Sequence, residues 1–277
     1  MTIDSYAVFG HPINHSKSPR IHQLFAEQTL QSLTYTAQDV PAKSFASAIN
    51  TFFELGGKGI NCTVPLKELA WQRADTLSKR AQFSKAVNTL ALQDDGTLLG
   101  DNTDGLGLVA DLTINHAIPL LNSRILILGA GGASRGIIEP LMEQSPSLIV
   151  IANRTVEKAI TLSTEFSQIG KISGSGYDGI KNQQFDLILN ATSASLTGEL
   201  PPLVDTLLAK NGCCYDLAYG NKPTPFVNWG KSHGAEKSLD GLGMLVEQAA
   251  EAFYIWRNIR PKTSDIIELL NSERELR

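Results

Sequence analysis

Cysteine is scarce, with only three in 277 residues. Cys62, Cys213 and Cys214 are an odd trio without metal-ligand spacing, and neighbouring cysteines such as Cys213 and Cys214 rarely bridge. A disulfide framework is excluded and a reduced, cytoplasmic compartment is expected. A surplus of charge of one sign is also missing. The net charge is −4, with Lys and Arg scattered rather than blocked, so no nucleic-acid partner is expected. Small anions remain possible ligands, because local groups set a pocket's potential. Long apolar runs are absent too. Ile125 to Leu128 and Leu148 to Ala152 are strand-sized and far too short to span a bilayer. The opening MTIDSYAVFG lacks the basic start and apolar core of a signal peptide, so no membrane partner is expected. No internal repeat or low-complexity stretch stands out.

What is present is an ordinary globular balance, 42% hydrophobic and 19% charged, in a chain long enough for two modest domains or one large one. Strands and helices alternate. Tyr6 to Gly10 reads as a strand, followed by a polar loop and a helix capped by Ser18 with Pro19 in its first turn. Further strands are expected at Thr34 to Val40 and Gly59 to Val64, with helices at Ala42 to Leu55 and Leu66 to Ala74. A hairpin turns at Asp94-Asp95-Gly96 between Val87 to Gln93 and Thr97 to Gly100.

After Asp104 the character changes. Strands Arg124 to Leu128, Leu148 to Ala152, Asp186 to Asn190 and Cys214 to Leu217 are mostly apolar, as in a parallel sheet covered on both faces. Pro140 is expected to kink the helix after the first of them. The last strong element is a helix over Gly243 to Ile259, with Leu245, Ala249, Ala252, Trp256 and Ile259 forming one apolar stripe.

Gly129-Ala130-Gly131-Gly132-Ala133-Ser134 follows a strand and opens a helix. Gly129 allows the tight turn, and Gly131 lets backbone N–H groups approach a pyrophosphate at the helix N-terminus. Ser134 stands where Gly or Ala is usual. The next strand ends in Asn153-Arg154-Thr155, where a site preferring NAD would carry a carboxylate. A guanidinium there can pair with a 2′-phosphate, so NADP is the expected cofactor. The bland alternative is a solvated Arg154 with Thr155 as a helix cap.

Three polar segments remain: His15 to Pro19, Asn61 to Lys67, and Gly100 to Gly105. The Ser16 and Ser18 hydroxyls beside a helix N-terminus can hold a carboxylate, although Ser18 serves equally as a simple N-cap. Lys67 lies in the first turn of a helix, where the dipole opposes its charge and Asp104, if near, restores it. By itself Lys67 reads as either a surface residue or a proton-transfer group.

Taken in order, AVFGHPINHSKSP, GINCTVPLKE, AVNTL, GDNTDGLG, GAGGASRG, NRT, NATS, TPF and DGLGMLVEQAA resemble the shikimate dehydrogenase family over essentially the whole length. The resemblance implies an α/β fold. An N-terminal substrate domain, residues 1–104 with 241–277, would join a Rossmann-type NADP-binding domain, 105–240, with a C-terminal helix returning to the first. It implies reversible reduction of 3-dehydroshikimate to shikimate with NADPH, in a monomer or homodimer. Lys67 and Asp104 take the catalytic positions. Ser16 and Ser18 match holders of the substrate carboxylate, and Asn61, Thr63, Asn88 and Gln248 match those of its other oxygens, with Tyr219 a further contact. Gly129, Ala130, Gly131, Gly132, Ala133, Asn153, Arg154, Thr155 and Lys158 would meet the cofactor, with Thr192, Leu217, Gly241 and Met244 near the nicotinamide. Three positions depart from the family pattern: Ser195 where Gly is common, Lys79 where an acid is frequent, and Leu217 for Met. His11, His15 and His22 read as structural or solvated, and Cys62 as pointing into the sheet. A relaxed enzyme taking quinate or NAD, and a catalytically idle NADPH binder, are the competing readings.

Overall fold

The protein is described over residues 3–275 by a computed structural model and divides into two compact units. One takes the chain to Gly107 together with Val246–Ile266, and the other takes Leu108–Leu245 with the segment from Ile267 onward. The sequence reading put all of 241–277 with the first domain.

The first unit opens with β1 (Asp4–Gly10), α1 (Ser18–Thr29), β2 (Leu33–Asp39), α2 (Phe45–Glu54) and β3 (Gly57–Cys62). There follow α3 (Lys67–Arg73), β4 (Thr76–Leu77), α4 (Lys79–Ser84), β5 (Thr89–Leu92), β6 (Leu98–Asp101) and α5 (Asp104–Ala110), whose last turn passes into the second unit. The strands form one sheet in the order β2-β1-β3-β5-β6-β4. β1 runs parallel to both β2 and β3, whereas β5 is antiparallel to β3 and β6. The expected hairpin is there, with Leu92 opposite Leu98. One face of the sheet, including Phe9, Ile60, Cys62 and Leu90, packs on Phe45, Ile49 and Phe52 of α2. Cys62 therefore points into the core.

The second unit contains β7 (Arg124–Leu128), α6 (Gly132–Glu143), β8 (Leu148–Ala152), α7 (Val156–Phe166), β9 (Ile172–Ser175), β10 (Phe185–Asn190) and β11 (Leu208–Asp216). It continues through α8 (Pro225–Ser232), β12 (Lys237–Asp240), α9 (Leu242–Arg257), which passes into the first unit at Val246, and α10 (Ser264–Glu275). All six strands are parallel, in the order β12-β11-β10-β7-β8-β9. The chain starts centrally, builds outward to one edge, and returns to build the other. That is the doubly wound order of dinucleotide-binding sheets. Leu126, Leu128, Val150 and Ile188 are at most 1% exposed, which explains the uninterrupted apolar runs.

Boundaries shift from expectation at several elements, β2, α2, β3 and β5 among them, and three further differences stand out. The N-cap position of α1 is Lys17, and Ser18 is the helix's first residue. β11 starts at Leu208, several residues before the expected strand. The last expected helix stops at Arg257, because Asn258 takes a positive φ of 53°, so Ile259 lies outside the stripe and is exposed. α6 continues through Pro140.

Candidate functional site

Within the first unit, the ends of β1, β3 and β6 and the residue before β5 bring polar side chains together. Lys67 is the first residue of α3, and its ammonium donates to Asp104 Oδ2 at 2.5 Å, with both side chains mostly buried. Asp104 Oδ1 accepts from Asn88 Nδ2 at 2.8 Å. The same amide lies 3.2 Å from Gln248 Oε1 on α9. Asn88 Oδ1 receives the Thr103 amide at 2.9 Å and the Thr89 hydroxyl at 2.8 Å. Asn61 Nδ2 donates to Asn88 O and Thr89 Oγ1, both at 3.0 Å, and Asn61 Oδ1 accepts from Tyr35 OH at 2.7 Å.

Lys67, Asp104, Asn61, Asn88 and Gln248 thus belong to one hydrogen-bonded network. Ser16 and Ser18 lie at the start of α1, where the Ser18 amide donates to Ser16 Oγ at 3.3 Å. Thr63 follows β3, its amide bound to Phe9 O at 2.9 Å.

Supporting residues outside the expected set complete this network. Asn102 Oδ1 accepts the Asp104 amide at 3.2 Å, and its own amide group donates to Ser84 Oγ and Ala86 O. The buried Asp101 carboxylate takes Ser78 Oγ at 2.5 Å and Arg80 Nη2 at 2.6 Å. These bonds fix the loop that carries Asp104. Asp101 and Asn102 stand inside the GDNTD motif, which was their only signal. Tyr35 carried none, because its partner lies 26 residues away.

In the second unit, the expected cofactor residues follow the C-terminal ends of five adjacent parallel strands. Gly129 to Ala133 follow β7, Asn153 to Lys158 follow β8, Thr192 follows β10, Leu217 follows β11, and Gly241 and Met244 follow β12. Tyr219, expected as a substrate contact, also follows β11. This is the edge at which open parallel sheets bind ligands.

The turn fits a dinucleotide's phosphates. Gly129 has φ +103°, and a Cβ there would meet Ala191 O at 3.1 Å. A Cβ on Gly131 or Gly132 would meet nothing within 4 Å, so the first turn of α6 faces open space. Ser134 is fully buried and donates to Gly129 O at 2.8 Å, which accounts for a serine at the sixth position. A cavity of about 260 Å³ beside the turn is lined by Ala130, Arg135, Lys158 and Thr161 among others. Thr155 holds the N-cap position of α7 but makes no side-chain cap bond, while Asn153 Nδ2 donates to Thr155 O at 2.8 Å. Arg154 is exposed. Its charge pulls the Tyr177 phenol down against the larger, raising effect of burial.

Thr192 Oγ1 donates to Asn190 Oδ1 at 2.7 Å. Asn190 Nδ2 in turn reaches Asp216 Oδ1 at 3.1 Å. The fully buried Asp216 also accepts Ser195 Oγ at 2.5 Å and Thr224 Oγ1 at 2.6 Å. Burial raises the Asp216 pKa, and these hydrogen bonds oppose the rise. Ser195 thereby acquires a partner that glycine would lack. Lys79 begins α4. Burial, then the Asp240 charge, raises the Tyr219 phenol.

Among the described residues there is no His, Cys, Asp or Glu group suited to a metal and no helix long and apolar enough to cross a membrane. Cys62, Cys213 and Cys214 are free and buried. Burial, the leading cause, raises all three thiols, Cys214 to about 12.

A doubly wound unit with an open glycine turn, joined in one chain to a unit presenting a lysine–carboxylate pair among amides, defines a two-unit α/β dinucleotide-binding protein. Family models match three stretches: the shikimate dehydrogenase substrate binding domain over residues 8–90, shikimate / quinate 5-dehydrogenase over 113–198, and the shikimate 5′-dehydrogenase C-terminal domain over 241–270. The chain belongs to the shikimate dehydrogenase family. It is 58% identical over 271 residues to the shikimate dehydrogenase (NADP(+)) of Methylococcus capsulatus, covering 98% of this chain and 97% of that protein. An Ael1 enzyme from Pseudomonas putida superposes with a TM-score of 0.90 at 46% identity, covering 96% of this chain and 98% of the other. Shikimate 5-dehydrogenase from Thermus thermophilus, solved with NADP(H) and shikimate, does so at 0.85 and 32%, with the same coverages.

Proposed function

We propose that the protein catalyses the reversible, NADPH-dependent reduction of 3-dehydroshikimate to shikimate in the cytoplasm. The observation that carries this reading is the 2.5 Å bond from Lys67 Nζ to Asp104 Oδ2 inside the Asn61–Asn88–Gln248 network. The NADP-dependent relatives and the open glycine turn support the cofactor.

NADP(H), when bound, supplies or takes up the hydride. The ammonium of Lys67 gives a proton to the C3 oxygen as that carbon is reduced, and in reverse its neutral amine takes the alcohol proton. Asp104 holds Lys67 aimed and supplies the counter-charge for its cationic form. Asn61, Asn88 and Gln248, which already exchange hydrogen bonds among themselves, trade some of these for bonds to the substrate's hydroxyl groups when it binds. A ligand lacking one of those hydroxyls would leave a buried amide unpaired, and this gives the site its selectivity. Ser16 and Ser18, at the positive end of α1, receive the carboxylate. Thr63 completes the first unit's share of the substrate's surroundings. Arg154, Thr155 and Lys158 hold the 2′-phosphate, because a guanidinium, a hydroxyl without a cap bond and an ammonium there favour a dianion.

Initial rates with shikimate or quinate, each paired with NADP or NAD, test the reading. Fast turnover confined to shikimate with NADP is expected. Comparable rates with quinate or NAD would place the protein among the relaxed enzymes, and no turnover in any pairing would leave an idle NADPH binder.

A further inference from the structure

The family resemblance puts Gly241 and Met244 near the nicotinamide, and the inference drawn from their surroundings rests on that reading and on the proposed function. The segment Gly241–Met244 runs from the end of β12 into the first turn of α9. Beneath that turn lies Asp111, a fully buried carboxylate that opens a π-helical turn over Asp111–Asn115. Asp111 Oδ2 accepts from Tyr215 OH at 2.6 Å, and Oδ1 accepts from Asn115 Nδ2 at 2.9 Å. Tyr215, also fully buried, accepts the Met244 amide at 3.3 Å. Gly243 completes the contact: a Cβ there would lie 2.1 Å from Asp111 Oδ1 and 2.4 Å from its Cγ.

We propose that Asp111 and Tyr215 are positioning residues that set the first turn of α9 and, through it, the wall against which the nicotinamide ring is held. Met244 is the third residue of α9, so its N–H has no carbonyl partner inside the helix and must be satisfied from outside. The Tyr215 hydroxyl oxygen meets that demand with a lone pair while its proton is committed to Asp111. The carboxylate in turn sits under the positive end of the helix, where an anion is favoured. Asp240 holds the neighbouring position, accepting the Leu242 amide at 3.2 Å while Arg274 pairs with it at 2.5 Å. The turn is thus held by directional bonds to two different amides.

A general brace would not need this chemistry. Burying a carboxylate and a phenol at the end of an apolar sheet costs more than packing two apolar side chains there. What the polar pair adds is direction, because a hydrogen bond fixes an amide's position where apolar packing tolerates sliding. The π turn that carries Asp111 is a further irregularity of a kind found frequently at functional sites. The adenosine end of the cofactor is expected at Gly129 to Gly132 and Asn153 to Lys158, on other strands, and gains nothing from the pair. Their effect is therefore confined to the nicotinamide half.

The test uses the full chain with Tyr215→Phe, which removes one oxygen, and Asp111→Asn beside it. Dissociation constants are measured by fluorescence for NADPH and for adenosine 2′,5′-bisphosphate, which carries the 2′-phosphate but no nicotinamide. Tyr215→Phe is expected to weaken NADPH by roughly tenfold, the scale of a buried hydrogen bond left unmade, and to leave the bisphosphate unchanged. The isotope effect on kcat with 4-deuterated NADPH should also rise, as a misplaced ring slows hydride transfer. Equal weakening of both ligands would overturn the proposal in favour of a general brace, and unchanged NADPH binding would overturn it outright. Should Asp111→Asn fail to fold, Tyr215→Phe decides alone. The binding comparison needs no shikimate, so a wild-type protein inactive on shikimate would defeat the proposed reaction without deciding this one.

Discussion

A lysine that protonates a ketone must keep its proton until the hydride arrives, and must stay aimed while it waits. Asp104 aims Lys67, and Asn88 keeps Asp104 in place. Lys67→Ala is therefore expected to lower kcat by roughly 10²- to 10⁴-fold, the range of one positioned general acid. Shikimate affinity by calorimetry should change little, because the network's amides remain. A variant with near-normal kcat would remove Lys67 from the mechanism. Arg154→Ala should weaken NADP by about 1.5–3 kcal/mol, the range for a hydrogen bond to a charged group, and spare NAD. Equal losses in both Michaelis constants would count against the phosphate assignment. At this scale the sequence named both partners of the ion pair, but only through the family resemblance, since neither spacing nor composition brings residue 67 to residue 104. Tyr35 went unread because its bond depends on strand register, and the part Asn102 plays was hidden because Ser84 and Ala86 lie far along the chain from it.

Elements were legible where burial is uniform. β7 and β8 begin and end where expected, because both faces of a central parallel strand are covered and its interior residues are apolar. The hairpin between β5 and β6 was marked by its Asp-Asp-Gly turn. Edge strands β9, Ile172–Ser175, and β12, Lys237–Asp240, carry polar residues among apolar ones and gave no pattern. The same holds for α10, whose last turns are polar. The π turn at Asp111–Asn115 has no sequence signature at all.

The cluster around Asp216 ties together three elements: β10 through Asn190, the following short helical turn through Ser195, and α8 through its N-cap Thr224. Ser195→Gly removes one donor from a buried carboxylate and adds backbone freedom, so unfolding in urea should show a loss of about 1–2 kcal/mol. An unchanged midpoint would mean that the Ser195 bond contributes nothing. Gly243→Ala would drive a methyl into Asp111. A loss of about 1–3 kcal/mol, the usual cost of overpacking, is expected in the same experiment, and wild-type stability would contradict the close approach.

For the whole molecule the buried histidine sets an acid limit. His22 is 1% exposed, and its ring stacks 4.1 Å from that of Tyr35. Burial pushes its pKa down from 6.5 to about 3. The folded protein therefore refuses a proton that the unfolded chain accepts. The stability present above pH 6.5 should fall as pH drops towards 3, by up to about 1.4 kcal/mol per pH unit from this group. His22→Phe keeps an aromatic ring in the stack and should flatten the stability profile between pH 6 and pH 4 by about one proton's worth of slope. A slope identical to wild type would assign the acid sensitivity elsewhere.

The first unit is assembled from two stretches of chain separated by well over a hundred residues. Its second stretch supplies Trp256, which stacks on Tyr6 at 4.8 Å and donates to Leu90 O at 3.0 Å, and Arg257, which binds Asp4 and Gln31. It also supplies Phe253, which lies against Phe25 and His22. On the ribosome, therefore, the amino-terminal sheet is made early but waits with Tyr6, His22 and Tyr35 uncovered until the end of α9 has emerged. Over that interval the nascent chain carries an aromatic face that nothing yet caps, and a holding chaperone would find its purchase there.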